Sequence, residues 1–243
     1  MHRSERTRAK TRKPGHARAG LSGEQIVREA IALIDEAGLE ALSMRALAGR
    51  LGVEAMSLYH HFPAKSALLN AVSRALSEEV AGRWTSLPKD WRERLVAIGR
   101  MEVETILAHP NAVLLMTARA NPGGSGFVTI EAVLRALSDA GLEPNECLIW
   151  SRSIISLING VGAFFVALGS PESADLQAPD PRLFPLTSEV LTLRRKVPAD
   201  PASVMERGLR PMLAAIEAEV AAKREAGKRL TAKGALPRGG KPG

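Results

Sequence analysis

The sequence predicts an all-α protein in two parts: a small N-terminal three-helix unit with a helix-turn-helix, and a larger helical unit behind it. Two observations predict this. Apolar residues recur at helical spacing over long stretches joined by short turns. Ala and Leu are abundant while aromatic residues make up only 4% of the chain. Its 243 residues suffice for two modest domains and a sizeable core.

Residues 1–20 lack apolar periodicity and read as a basic disordered arm. A first helix follows Ser22, with Gln25 three residues on in a capping-box arrangement; Ile26, Ala30, Leu33 and Ile34 face inward, and Gly38 ends it. Ser43 caps a second helix with Leu47, Ala48 and Leu51 on one face, ended by Gly52. A third runs over 55–62, with Leu58 and Phe62 inward, and Pro63 stops it. The fourth opens at Pro63 or Ala64 and carries Leu68, Val72, Leu76, Val80 and Trp84 in an i+4 series. The domain boundary falls after Trp84, so 21–84 forms the first unit and 85–225 the second.

In the second unit a helix is expected over 90–109, with Trp91, Leu95, Ile98, Met101 and Leu107 buried, then a short helix over 112–118 and a Gly/Pro-rich loop over 121–126. Another helix ends at Gly141. Pro144 opens a long apolar helix to about Leu168. Residues 170–185 hold four prolines and read as irregular, ahead of a short helix near 186–196. The last helix starts at Pro201 with the stripe Val204, Leu209, Met212, Leu213, Ile216 and Val220, and a kink at Pro211. Residues 226–243 read as a second disordered basic tail.

The net charge of +7 is unevenly spread: residues 1–20 and 221–243 carry +6 each, which leaves 21–220 at −5. Basic tails suit attraction to phosphates. The single cysteine, Cys147, allows no disulfide framework and no Cys-based zinc site within the chain, and fits a reducing cytoplasm. No stretch reads as a signal peptide or a confident membrane span. The histidines (His2, His16, His60, His61, His109) form no zinc pair, and there is no phosphate loop or nucleophile motif. No catalytic residue, metal or cofactor is expected.

Two short helices joined by a tight Gly-containing turn form a helix-turn-helix, whose second helix enters the DNA major groove. The run from Leu42 to Leu69, with Leu47-Ala48…Leu51-Gly52-Val53, Leu58-Tyr59-His60-His61-Phe62 and Lys65…Leu68-Leu69, closely resembles the TetR family over about residues 22 to 80. The resemblance implies DNA contacts position by position. Arg45 would meet a base or phosphate. Ala55, Met56 and Ser57 would meet base edges from the start of the recognition helix. Tyr59, His60, His61 and Lys65 would meet phosphates. Residues 21–80 hold five Arg/Lys against eight Asp/Glu, so affinity has to come from a few placed contacts.

The second half is similar, more loosely, to the family's larger domain, and most of all to its tetracycline-repressor subgroup. That implies a ligand-binding and dimerisation domain. The stripes Ile154, Ile158, Val161, Phe165 and Leu209, Leu213, Ile216, Val220 would then pair with their symmetry mates as a four-helix bundle in a homodimer. The subgroup's drug-chelating positions fall on Ala81, Met116 and Arg119, which cannot reproduce a chelating set, so the architecture is expected without that ligand. Trp84, Met101, Met116, Trp150, Asn159 and Phe164 are the candidates for an apolar effector pocket. The expected partners are an operator in double-stranded DNA, a small-molecule effector and a second copy of the chain, with no membrane. The expected function is a cytoplasmic, effector-released repressor; the alternative is a ligand-independent DNA-binding dimer.

Overall fold

The computed structural model describes residues 21–84, 86–112, 114–115, 127–169, 179–194 and 200–234. The arm 1–20, Met116, Arg119, the loop 121–126 and the tail 235–243 lie outside the described residues.

Nine α-helices and no strands are found among the described residues. They are α1 (Gly23–Ala37), α2 (Met44–Leu51), α3 (Ala55–Tyr59), α4 (Lys65–Gly82), α5 (Trp91–Ala108), α6 (Phe127–Ala140), α7 (Pro144–Gly169), α8 (Pro185–Arg194) and α9 (Pro201–Gly234). Two apolar cores result. The first joins α1–α4 around Ile26, Ile34, Leu47, Leu58, Leu68 and Leu76. The second joins α5, α6, α7 and α9 around Leu95, Ile98, Leu137, Ile154, Met205 and Ile216.

Local chemistry explains the boundaries. Ser22 Oγ accepts from the Gln25 N–H at 3.2 Å while Gln25 Oε1 accepts from the Ser22 N–H at 3.1 Å, the reciprocal box that starts α1. Asp90 Oδ1 accepts from the N–H groups of Arg92 and Glu93 and caps α5. Gly52 ends α2 at φ +66°, a conformation costly for any residue with a Cβ. The Val53 N–H then returns to the Ala48 carbonyl at 3.0 Å and closes the turn.

Helices in the larger unit approach closely. A Cβ at Gly162 of α7 would fall 2.7 Å from Ile106 Cδ1, and one at Gly99 of α5 would fall 2.8 Å from Met205 Sδ. These two glycines let α5 lie against both α7 and α9. By length and composition α7 could cross a membrane, but its Cys147, Ser151, Ile154, Ile158 and Gly162 are buried against neighbouring helices.

Several expectations are corrected. Ala112 belongs to a 3-10 turn, Pro110–Ala112, rather than to the start of the short helix expected over 112–118; Leu114 and Leu115 are helical, and 113 and 116–118 lie outside the described residues. Ala112 and Leu115 are buried in the first core, so the chain returns from the larger unit to touch the smaller one. Val204 is 39% exposed and Met205 takes its place. The buried series is Ala202, Met205, Leu209, Leu213, Ile216 and Val220, and its three- and four-residue steps leave Val204 off the stripe. Ile154, Ile158, Leu209, Leu213, Ile216 and Val220 fill the chain's own core, so they do not form the surface for a partner. Finally, α9 runs to Gly234, beyond the boundary set at residue 225. The Ala, Glu, Lys and Arg after Val220 are good helix formers, and Pro211 interrupts the helix without ending it.

Candidate nucleic-acid interface

The Ser43 hydroxyl starts α2 by accepting from the Ala46 N–H at 3.1 Å. Leu58, fully buried, pins the five-residue α3 to the first core from beneath. Its other face is open: Met56 is 65% exposed and Tyr59 44%. Ala55 and Ser57 are half-buried at its start, and His60 and His61 are exposed in the turn that follows. Arg45 at the start of α2 and Lys65 at the start of α4 are exposed, and neither has a side-chain partner among the described residues.

Two other cations of this unit are occupied. Arg50 reaches from α2 to Glu29 at 2.8 Å and Glu36 at 2.5 Å on α1. Those hydrogen bonds raise the arginine's pKa and lower that of Glu36. Arg74 lies 3.8 Å from Glu78 on its own helix. Arg45 and Lys65, at the starts of the helices before and after α3 in the chain, carry no such pair among the described residues. Glu54, which motif reading passed over, stands at the N-cap of α3 with no cap hydrogen bond from its side chain. A carboxylate in that position is a natural acceptor for a cytosine amino group.

A polar junction joins the two units. His109, at the C-terminus of α5, has its Nδ1 2.9 Å from Asp35 Oδ2 on α1 and its Nε2 3.3 Å from Glu79 Oε2 on α4. Asn111 Nδ2 donates to the Asp35 carbonyl at 2.9 Å. Arg83 at the end of α4 also pairs with Glu104 of α5. The sequence placed His109 only as the last residue of the helix expected over 90–109, since its partners are 74 and 30 residues away.

The six effector-pocket candidates are not gathered in one place. Trp84 lines a groove of about 720 Å³ with Leu87, Pro88, Phe127, Val128 and Ala132. Trp150 of α7 donates its Nε1–H to Glu219 of α9 at 3.0 Å. Met101 and Asn159 are half-buried. Phe164 is 59% exposed, because its spacing from Gly160 puts it on the outer side of α7, away from Ile154, Ile158 and Gly162. Met116 lies outside the described residues.

The larger unit also holds a half-buried carboxyl that the sequence did not flag. Glu102 of α5 accepts from the Thr129 hydroxyl of α6, and burial raises its pKa. One turn on, the Thr105 hydroxyl is buried without a partner among the described residues. A carboxyl whose pKa is higher in the fold supports stability below the ordinary carboxyl range. That support is lost as pH rises through the raised value. Glu102→Gln, which needs no ionisation, should therefore raise the thermal midpoint at pH 7 and leave it nearly unchanged at pH 4. A lowered midpoint at pH 7 would contradict the burial argument.

Comparison with known proteins agrees with this arrangement. Residues 26–72 match the family described as bacterial regulatory proteins, tetR family, and residues 85–164 match the tetracyclin repressor-like C-terminal domain. The chain is 34% identical to the tetracycline repressor protein class A from transposon 1721 of Escherichia coli, over 53% of this chain and 59% of that one. It spans less than two thirds of that relative's length. It is 28% identical to the class C repressor of Escherichia coli over 81% of this chain and 91% of that one. Among solved structures, a TetR variant from Acinetobacter baumannii in complex with minocycline superposes at TM-score 0.64. It shares 26% identity, over 82% of this chain and 94% of that one. ActR from Streptomyces coelicolor in complex with actinorhodin, at 23% identity and TM-score 0.66, shares the fold over 83% of this chain and 99% of that one. With both of its units matched in order, the chain belongs to the TetR family of regulatory proteins.

Proposed function

We propose that the protein is a homodimeric, sequence-specific DNA-binding repressor that a small-molecule effector releases from a palindromic operator. The observation that carries this reading is the face of α3. A five-residue helix held by one fully buried leucine presents Met56 and Tyr59 to solvent, with Arg45 and Lys65 at the starts of the helices before and after it in the chain. A helix built that way has little structural use and suits insertion into a groove.

The dimer follows from the outer faces of α7 and α9. On α7, Ile149 is 63% and Phe164 59% exposed, with Gly160 between them. A Cβ at Gly160 would meet nothing within 4 Å in the single chain, so its small size serves no contact within it. On α9 the exposed residues Pro211, Ala214, Ala215 and Ala218 make a small-residue surface. A large apolar face beside small residues suits close packing against the same two helices of a second copy.

Coupling runs through the junction. An effector that shifts α5 or α6 moves His109, which holds both α1 and α4. The spacing of the two recognition helices then changes, and effector and operator oppose each other with a reciprocal coupling energy. In this reading Ala55, Met56 and Ser57 meet base edges with Arg45, while Tyr59, His60, His61 and Lys65 hold phosphates.

Mobility shifts on operator and random DNA test the interface. Arg45→Ala and Ser57→Ala should each cost about 1–3 kcal/mol on the operator and much less on random DNA. Lys65→Ala should weaken both about equally. Equal losses on both DNAs for Ser57→Ala would remove it from the base-reading set.

A further inference from the structure

We propose that the groove between the α4–α5 connection and α6 binds a flat apolar molecule carrying an anionic oxygen group that pairs with Lys89. This deepens the effector reading above and rests on it.

The walls are aromatic and aliphatic: Trp84, Leu87 and Pro88 on one side, Phe127 and Val128 on the other. At about 720 Å³ the groove lies in the range of small-molecule sites. Phe127 is 59% exposed at the start of α6, so this apolar surface is uncovered among the described residues.

The charges lining the groove are unbalanced. Glu131 of α6 is already paired with Arg135 at 2.7 Å, and those two cancel. Lys89 lines the same groove and has no carboxylate within pairing distance among the described residues. Its backbone is fixed: Arg94 donates its Nε–H to the Pro88 carbonyl at 3.0 Å and an Nη2–H to the Lys89 carbonyl at 2.7 Å. The guanidinium, which also pairs with Asp139 at 2.6 Å, is used up in clamping this turn. The backbone that carries the ammonium is therefore already ordered when an anion arrives.

The indole of Trp84 adds an apolar face to this wall; its Nε1 is buried and offers no donor to the groove. The ammonium selects a carboxylate, phenolate or sulfonate, and the walls select a flat apolar body.

Two fluorescent probes with one skeleton test this: 8-anilinonaphthalene-1-sulfonate and its uncharged counterpart N-phenyl-1-naphthylamine. The full chain should bind the sulfonate about tenfold more tightly than the neutral dye, although the neutral dye is the more hydrophobic. Lys89→Gln, at an exposed position that leaves folding intact, should erase that preference. Equal binding of the two dyes, or a preference untouched by Lys89→Gln, overturns the proposal.

Mobility shifts with the same samples separate this inference from the effector reading. Lys89-dependent binding without release of DNA keeps the groove and removes the effector reading. Release of DNA by other small molecules, with no Lys89-dependent binding, keeps the effector reading and removes the groove.

Discussion

Phe164→Glu should turn the protein into a folded monomer that no longer holds an operator. Phe164 is 59% exposed in the single chain, so the substitution leaves the chain's own core untouched. In the dimer each copy would press a carboxylate into an apolar seam. An unpaired buried charge costs about 3 kcal/mol or more, and two copies weaken association by about four powers of ten. Sedimentation should show a monomer at micromolar concentration with an unchanged far-ultraviolet circular dichroism spectrum. Operator affinity should fall to that of a single half-site. Leu213→Glu should behave differently: Leu213 lies in the chain's own core at 7% exposure, and a charge there unfolds the larger unit. If the Phe164→Glu variant sediments as a dimer, the outer face of α7 is not the seam.

Removing residues 1–19 should flatten the plot of log affinity against log salt by about 4–5. The segment carries Arg3, Arg6, Arg8, Lys10, Arg12, Lys13 and Arg18 immediately ahead of α1. The small unit behind it has fewer cations than anions, and Arg50 is committed to Glu29 and Glu36. If two or three arm residues per subunit engage, a dimer makes about four to six contacts, each worth about 0.9 in slope. Affinity for operator and random DNA should fall together, with most sequence preference kept. Removal of 226–243, which carries Lys228, Arg229, Lys233, Arg238 and Lys241, should change the slope far less. Equal flattening by the two deletions would mean that the arm acts only as diffuse charge.

The parts legible in the sequence are those set by neighbours along the chain. Ser22 with Gln25, Ser43, Gly52 and Asp90 declare helix ends through contacts within a few residues. The series Leu68, Val72, Leu76 and Val80 declares the buried face of α4. What the sequence could not show depends on distant partners. An apolar stripe such as Leu209, Leu213 and Ile216 reads the same whether its own chain or a second copy covers it, and here its own chain does. The clamp of His109 on Asp35 and Glu79 has no local signature, and neither has the burial of Glu102 beside Thr129. Basic composition made the C-terminal tail look disordered from residue 226. Helix propensity and pairing such as Lys223 with Glu146 carry α9 onward instead.

The central claim is a sequence-specific grip on DNA by two copies of α3. Selection of binding sites from a pool of random duplexes by the full chain tests it most directly, followed by sedimentation of the complex to count chains. One inverted repeat should be enriched, with half-sites about one helical turn, 34–36 Å, or a multiple of it apart. Two chains, or a multiple of two, should occupy that repeat, with a preference over random DNA of at least about a thousandfold. A pool that stays random after selection, or a single chain bound to an unrepeated site, would contradict it.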